Sequence, residues 1–319
     1  MVELSRSDVL EAARRIAGEV VETPLIESEV AGSRIWLKCE CLQTGGAFKL
    51  RGATNRLAML SEEERTRGVV AFSSGNHARG VAIAARRLGM RAIIVMPSDA
   101  PQVKVEGTRG EGAEIIFYDR RKDSREAIAA QIAAGSGATV VPSFDDPAIV
   151  AGQGTVGLEI VDQMASAGAG VPRRIVVPCG GGGLASGIAL AVPEAEIAIV
   201  EPQGWDDMMR SLEGGEIVPV ESDAPDSFCD ALQTPRVSPI TFGILKARGA
   251  NALWVSDAEV EVAVRFAWER HQLVVEPGGA VALAALLSGK VVPREGTVAV
   301  LSGGNVDPAL HARIVGQAA

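Results

Sequence analysis

Four consecutive glycines, Gly180, Gly181, Gly182 and Gly183, follow the apolar run Arg174–Pro178 and precede a helix-forming segment at 184–191. Without a Cβ, they can turn their backbone N–H groups toward one point at a helix N-terminus, where free donors and the helix dipole favour a phosphate. A nucleoside triphosphate would call for Gly-Lys-Ser/Thr, and no lysine follows these glycines. A dinucleotide fits a looser pattern, Gly180-x-Gly182-x-x-Ala185, with Glu201 ending another strand about twenty residues on, where a ribose hydroxyl would be read. A phosphorylated cofactor such as pyridoxal phosphate is the third candidate, and it needs a lysine elsewhere to form a Schiff base. Lys49 is unusually placed: two backbone-breaking glycines, Gly45 and Gly46, come just before it, and a helix through Asn55, Leu57 and Met59 begins there. An amine must be unprotonated to attack an aldehyde, so burial or nearby positive charge at this lysine would serve the chemistry.

The elements that must position these groups alternate regularly. Strands are expected at 34–39, 69–73, 91–97, 114–118, 138–142, 174–178, 196–201, 253–255 and 297–302. Helices are expected at 7–17, 49–59, 78–88, 104–110, 124–134, 155–164, 184–191, 257–271 and 278–287. Strand and helix in alternation at this spacing mean α/β architecture with parallel sheets and right-handed crossovers. Two open parallel-sheet domains are expected, a large one from residues 1–50 and 146–319 and a smaller one from 51–145. Ligands of such sheets sit beyond the carboxyl ends of the strands. Ser73-Ser74-Gly75-Asn76-His77 and Ser302-Gly303-Gly304-Asn305-Val306-Asp307 fall at strand ends, as the four glycines do. Three such loops and one lysine describe a cleft between two domains.

Composition narrows the partners. The chain has 319 residues, 47% of them hydrophobic, enough for a substantial core. A net charge of −9, with no basic cluster longer than Arg120-Arg121-Lys122, argues against nucleic acid or an anionic membrane surface. No apolar run approaches the roughly 18 residues of a membrane span, and the first residues lack a signal-peptide core, so cytoplasm is the expected compartment. Cys39, Cys41, Cys179 and Cys229 are too few and irregular for a disulfide framework, and reduced thiols are expected.

The motifs Gly46-Ala-Phe-Lys-Leu-Arg-Gly52, Ser73-Ser-Gly-Asn-His77, Ala151-Gly-Gln-Gly-Thr155, Gly180-Gly-Gly-Gly-Leu184 and Leu301-Ser-Gly-Gly-Asn305 occur in that order. Together they resemble the threonine/serine dehydratase and serine racemase family of fold type II pyridoxal-phosphate enzymes, whose domains are of the tryptophan synthase β-like kind. The resemblance covers nearly the whole chain and selects the phosphorylated cofactor over the dinucleotide. It implies that Lys49 carries pyridoxal 5'-phosphate as a Schiff base, that Gly180 to Gly183 hold the phosphate, that Phe48 packs beside the ring, that Asn76 meets the phenolic oxygen and that Ser302 meets the pyridine nitrogen. A hydroxyl at that nitrogen does not enforce protonation, which suits elimination of a β-hydroxyl more than transamination. Ser74 lies where the racemases place an acid/base opposite the lysine, and Ser73, Ser74, Asn76 and His77 form the loop expected at the substrate carboxylate. Arg125 matches an arginine that in the racemases approaches a second carboxylate when the cleft closes.

By the same resemblance Glu201-Pro-Gln-Gly-Trp-Asp-Asp207 is a cation site, with Glu201, Asp207 and the Trp205 carbonyl as ligands for Mg²⁺ or Ca²⁺. Two departures stand out. Gly46-Ala47 replaces the single serine that many dehydratases carry before the phenylalanine, and the chain runs only 17 residues past Ser302, so no C-terminal regulatory domain is expected. The resemblance implies a homodimer that dehydrates threonine or serine to a 2-oxo acid and ammonia. Within the family, 3-hydroxyaspartate dehydration and serine racemisation are the alternatives; outside it, a dinucleotide-binding dehydrogenase.

Overall fold

The computed structural model describes residues 4–73 and 75–316. Helix α1 (Arg6–Ile16) leads into strands β1 (Leu25–Val30) and β2 (Ser33–Lys38). Then come α2 (Lys49–Ala58), α3 (Glu62–Arg67), β3 (Val69–Phe72), α4 (Asn76–Arg87), β4 (Ala92–Pro97), α5 (Gln102–Arg109), β5 (Glu114–Tyr118), α6 (Arg125–Ser136) and β6 (Thr139–Val140). Helix α7 (Pro147–Ser166) connects this region to β7 (Arg174–Pro178), α8 (Gly183–Ala191), β8 (Glu196–Pro202), α9 (Asp207–Gly214) and α10 (Pro239–Ala247). The described chain finishes with β9 (Asn251–Val255), α11 (Asp257–His271), α12 (Pro277–Leu287), β10 (Thr297–Val300) and α13 (Pro308–Val315).

The strands form two sheets, ordered β1-β2-β10-β7-β8-β9 and β5-β4-β3-β6. Every pairing is parallel except β1 with β2. That antiparallel edge departs from the all-parallel expectation. Its turn is made by Ala31 and Gly32, both at positive φ (51° and 75°), which suits the right-handed twist of a two-residue hairpin. Because the turn lacks the usual Asn-Gly or Asp-Gly, the sequence does not announce it.

Helix α7 starts at Pro147, well before the expected 155. Asp146 caps it, accepting hydrogen bonds from Ala148 N (2.8 Å) and Ile149 N (3.0 Å), and Pro147 occupies the first turn, where no N–H is needed. Gly152 and Gly154 lower helix propensity in this stretch, and packing overrides it. A Cβ on Gly152 would come within 2.7 Å of Gly52 Cα, and one on Gly154 within 2.6 Å of Gly187 O. Thus α2 and α8 both lie backbone to backbone on α7. Apolar clusters fill the two faces of the larger sheet, one around α12 and the other around α7 and α8, while a third joins α2 and α4 to the smaller sheet.

Candidate active site

The carboxyl ends of the two sheets face a common cleft, and the predicted groups meet there. Lys49, Phe48, Asn76, the four glycines and Ser302 all line it, together with Ser73, His77 and Arg125. Lys49 is the first residue of α2, and its Nζ donates a 3.1 Å hydrogen bond to the Ser143 carbonyl. Burial brings its pKa from 10.5 down to about 8, so a usable share of the amine is uncharged near neutral pH. Phe48 sits at the helix start with its ring centroid 5.1 Å from that nitrogen, and its own N–H donates to Ser302 O (3.2 Å).

The glycines leave β7 and open α8, with Gly182 at the N-cap in the left-handed region (φ 82°). A Cβ on Gly181 would collide with the Phe144 ring, and one on Gly182 would lie 2.7 Å from Met208 Cε. The glycines are thus closely backed by Phe144 and Met208, at the N-terminus of α8 and in the same cleft as the lysine. These features fit a phosphorylated aldehyde cofactor and give the dinucleotide reading no role for Lys49.

The loop after β3 is built as the start of a helix. Ser73 Oγ accepts from Gly75 N (3.2 Å), so this hydroxyl shapes the loop as well as lining the cleft. Ser74 lies outside the described residues. Burial, and then the charge of Lys49, hold the His77 imidazole near pKa 3; its Nε2 pairs with Val141 O at 2.9 Å. His77 is therefore a neutral wall of the site. Arg125 begins α6, its guanidinium 5.4 Å from the Phe72 ring centroid and its Nε donating to Glu126 (2.8 Å).

Glu201 and Asp207 lie away from the cleft, at the end of β8 and the start of α9, both essentially inaccessible. Glu201 accepts from the N–H groups of Met208 (3.0 Å) and Met209 (2.8 Å), and Asp207 from Val237 N (2.9 Å). Burial and then the Asp207 charge drive Glu201 far above the carboxylate range, and burial raises Asp207 to about 7. Two buried carboxyls whose ionised forms are disfavoured could be stabilised as carboxylates by a hard divalent ion. Among the described residues no group of three or more His, Cys, Asp or Glu side chains surrounds a common point, so the Trp205 carbonyl would have to complete the protein ligands. The Trp205 indole is itself tied to Pro225 O at 2.9 Å.

Three charged residues escape sequence reasoning: Lys104 and Asp230 line the cleft, and Glu276 is buried beside them. Lys104 on α5 pairs with Asp230 and lies 3.6 Å from Glu276, and both acids come from the larger-sheet region. Burial alone would lower the Lys104 pKa, but Glu276 and Asp230 more than offset it. Glu276, just before Pro277 at the start of α12, is 1% exposed, and burial lifts its carboxyl to about 7 despite Lys104. The signal available was a glutamate ahead of Pro-Gly-Gly at a helix start, which reads equally well as an ordinary cap.

Behind the cleft, Arg51 is fully buried two residues after Lys49. It forks onto Glu40 with two 2.8 Å bonds and also reaches Glu159, which in turn pairs with the buried Lys38. This charged cluster anchors the first turn of α2.

Fold and site together define a pyridoxal-phosphate enzyme of fold type II. Residues 16–303 match the pyridoxal-phosphate dependent enzyme family. The chain is 42% identical over 320 residues to an L-threo-3-hydroxyaspartate ammonia-lyase of Pseudomonas sp, covering 98% of each protein. It is 39% identical to a serine racemase of Schizosaccharomyces pombe, covering 97% of each. Among solved structures, a maize serine racemase superposes with a TM-score of 0.90 at 34% identity, covering 97% of this chain and 96% of that one. A T.th. threonine deaminase superposes with a TM-score of 0.88 at 40% identity, covering 95% and 99%. The protein belongs to the pyridoxal-phosphate dependent family of threonine/serine dehydratases, hydroxyaspartate ammonia-lyases and serine racemases. No described helix is long and apolar enough to cross a membrane.

Proposed function

We propose that the protein eliminates water from an L-β-hydroxy-α-amino acid, with serine and threonine as substrates, to give a 2-oxo acid and ammonia. One observation carries this reading: a lysine amine with its pKa lowered to about 8 shares a cleft with a four-glycine helix start. Bound there, pyridoxal 5'-phosphate would supply the electron sink for charge developing at Cα. Gly180, Gly181, Gly182 and Gly183 would hold its phosphate, Asn76 would give an amide hydrogen to its phenolic oxygen, and Ser302 would face its pyridine nitrogen. The Lys49 amine takes the Cα proton, while Ser73, Asn76 and His77 form the loop against the substrate carboxylate, His77 remaining uncharged. Residues 51–145 act as the mobile part and close the cleft against water. The chain works as a homodimer, with Mg²⁺ or Ca²⁺ held by Glu201, Asp207 and the Trp205 carbonyl away from the reacting atoms.

A second reading, 3-hydroxyaspartate dehydration, is favoured by Arg125 lining the cleft and by the 42% identity to a hydroxyaspartate ammonia-lyase. A guanidinium engaged by a second carboxylate makes a charge-assisted, bidentate contact, whereas a methyl in an apolar pocket discriminates by only about 1–3 kcal/mol. Comparing kcat/KM for serine, threonine and 3-hydroxyaspartate in the wild type and Arg125→Ala, with chiral analysis of residual serine, separates the readings. Comparable pyruvate and 2-oxobutyrate formation in both proteins supports the first. A strong hydroxyaspartate preference lost in Arg125→Ala establishes the second, and D-serine appearing faster than pyruvate makes racemisation the main activity.

A further inference from the structure

Asn76 does not stand alone in the cleft. It is one link in a hydrogen-bond chain that crosses between the regions of the two sheets. Arg79 Nη1 on α4 donates to Asn305 Oδ1 (3.2 Å). Asn305 Nδ2 then donates both of its hydrogens, to Gly45 O (2.7 Å) and to Asn76 Oδ1 (2.8 Å). Asn76 Nδ2 donates to Glu276 Oε1, and the other carboxylate oxygen of Glu276 faces Lys104 Nζ at 3.6 Å.

Each link has a direction that the chemistry of its ends dictates. A guanidinium can only donate, so Asn305 must turn its oxygen toward Arg79; a peptide carbonyl can only accept, so its amide nitrogen must turn toward Gly45. Asn305 then has only a hydrogen to offer Asn76, which must answer with Oδ1. At the far end Glu276 Oε1 accepts from Asn76, while its other oxygen has no hydrogen-bond partner and meets the Lys104 ammonium only as an ion pair. With Oδ1 and one amide hydrogen committed, the second amide hydrogen of Asn76 is left for the cleft.

Backbone spacing makes room for the chain. A Cβ on Gly46 would collide with Asn305 Oδ1, and one on Gly303 would collide with Glu276 Oε1. The Gly46-Ala47 departure from the serine of many dehydratases thus falls where Asn305 packs, with Ala47 bridging to Gly303. Glu276 is a fully enclosed acid without a covalent task, and orienting Asn76 gives it one.

We infer that Glu276 and Asn305 are positioning residues that fix the amide of Asn76 so that it offers N–H, never C=O, to the group in the cleft. The inference rests on the reading of Asn76 as the partner of the cofactor's phenolic oxygen. Its sharpest probe is Glu276→Gln, which keeps the shape but sets an amide between Asn76 and the Lys104 ammonium, so that its one oxygen can face only one of them. Either the Gln amide faces the ammonium, or it faces Asn76 and turns it. Removing the competing donor in Glu276→Gln/Lys104→Met frees the Gln oxygen for Asn76 and restores the direction of the chain.

The apo-proteins are titrated with pyridoxal 5'-phosphate by equilibrium dialysis, and the visible band of the lysine adduct is followed against pH. Glu276→Gln is expected to weaken cofactor binding about tenfold, the worth of one charge-assisted hydrogen bond, and to shift the pH midpoint of the band. The double variant is expected to return both toward wild type. Wild-type affinity and band in Glu276→Gln, or a double variant as impaired as the single one, overturns the inference. Should Glu276→Gln not fold, Asn305→Asp reads the same orientation from the other side, because it sets an acceptor against Asn76 Oδ1. Unchanged binding and band there overturn the inference equally. Asn76→Ala separates the layers: if it leaves affinity and band untouched, the placement of Asn76 at the cofactor fails, whereas its loss of binding beside an unperturbed Glu276→Gln refutes the positioning alone.

Discussion

Lys49 and Ser143 are joined across the cleft by a 3.1 Å hydrogen bond from the amine to a backbone carbonyl, so the lysine is held by a neutral acceptor. Burial then goes unopposed and brings the amine to about pKa 8. Reconstitution of the apo-protein with pyridoxal 5'-phosphate should therefore accelerate as pH rises and reach half its maximal rate near pH 8, measured by stopped-flow absorbance. Below that pH the native state carries a buried charge that the unfolded chain solvates freely, so stability rises between about pH 8 and 10.5 as the native lysine sheds its proton first. Lys49→Met should stabilise the apo-protein most below pH 8, lose that advantage above 10.5, and never form the visible band.

Gly181→Ala should weaken cofactor binding without unfolding the protein. Its methyl would run into the Phe144 ring, and overpacking of this kind costs roughly 1–3 kcal/mol unless the loop moves. Either outcome spoils the cradle. Equilibrium dialysis should show weakened pyridoxal 5'-phosphate binding, partly recovered in Gly181→Ala/Phe144→Ala.

Arg51→Met should be among the most damaging substitutions outside the cleft. It leaves Glu40, fully buried, without its forked partner and deprives Glu159 of one of two cations. Breaking a buried pair from one side costs about 3–5 kcal/mol, which urea unfolding of the apo-protein would register. Arg51→Lys should recover little, since an ammonium cannot reproduce the two parallel bonds to Glu40.

The Glu201 and Asp207 pair predicts a pH-dependent response to divalent ions. Burial raises Asp207 from 3.8 to about 7, so between those values the native state holds a proton that the unfolded chain has released. Without a cation, stability should fall as pH rises through that window. Mg²⁺ or Ca²⁺ competes with the proton, so the gain in Tm on adding either ion should be larger at pH 8 than at pH 6. Asp207→Asn should abolish that difference; an ion response unchanged by the substitution would reduce the pair to a helix cap.

The sequence makes the motif-bearing loops legible because each is marked by glycines at a strand end. Lys49, Asn76, Gly180 to Gly183 and Ser302 all line the cleft, as those loops require. What it hides are partners fixed only by tertiary approach. Lys104 and Glu276 come from different sheet regions and look like an exposed helix lysine and a cap until α5 and α12 converge. Arg51 and Lys38 sit in segments that pattern as helix and strand faces, and nothing local reveals that Glu159 will neutralise both. The early start of α7 is missed for a related reason: Gly152 and Gly154 signal a break, while their lack of side chains lets two other helices touch the backbone.

That backbone contact sets a length. Helix α2 carries Lys49 at its first residue and α8 opens on the four glycines, and both rest on α7 through Gly52 against Gly152 and Gly187 against Gly154. The spacing between the starts of these two helices is therefore gauged by one helix. Methyl groups added at Gly152 or Gly154 would push α2 or α8 off α7, altering that spacing without changing the identity of any residue in the cleft.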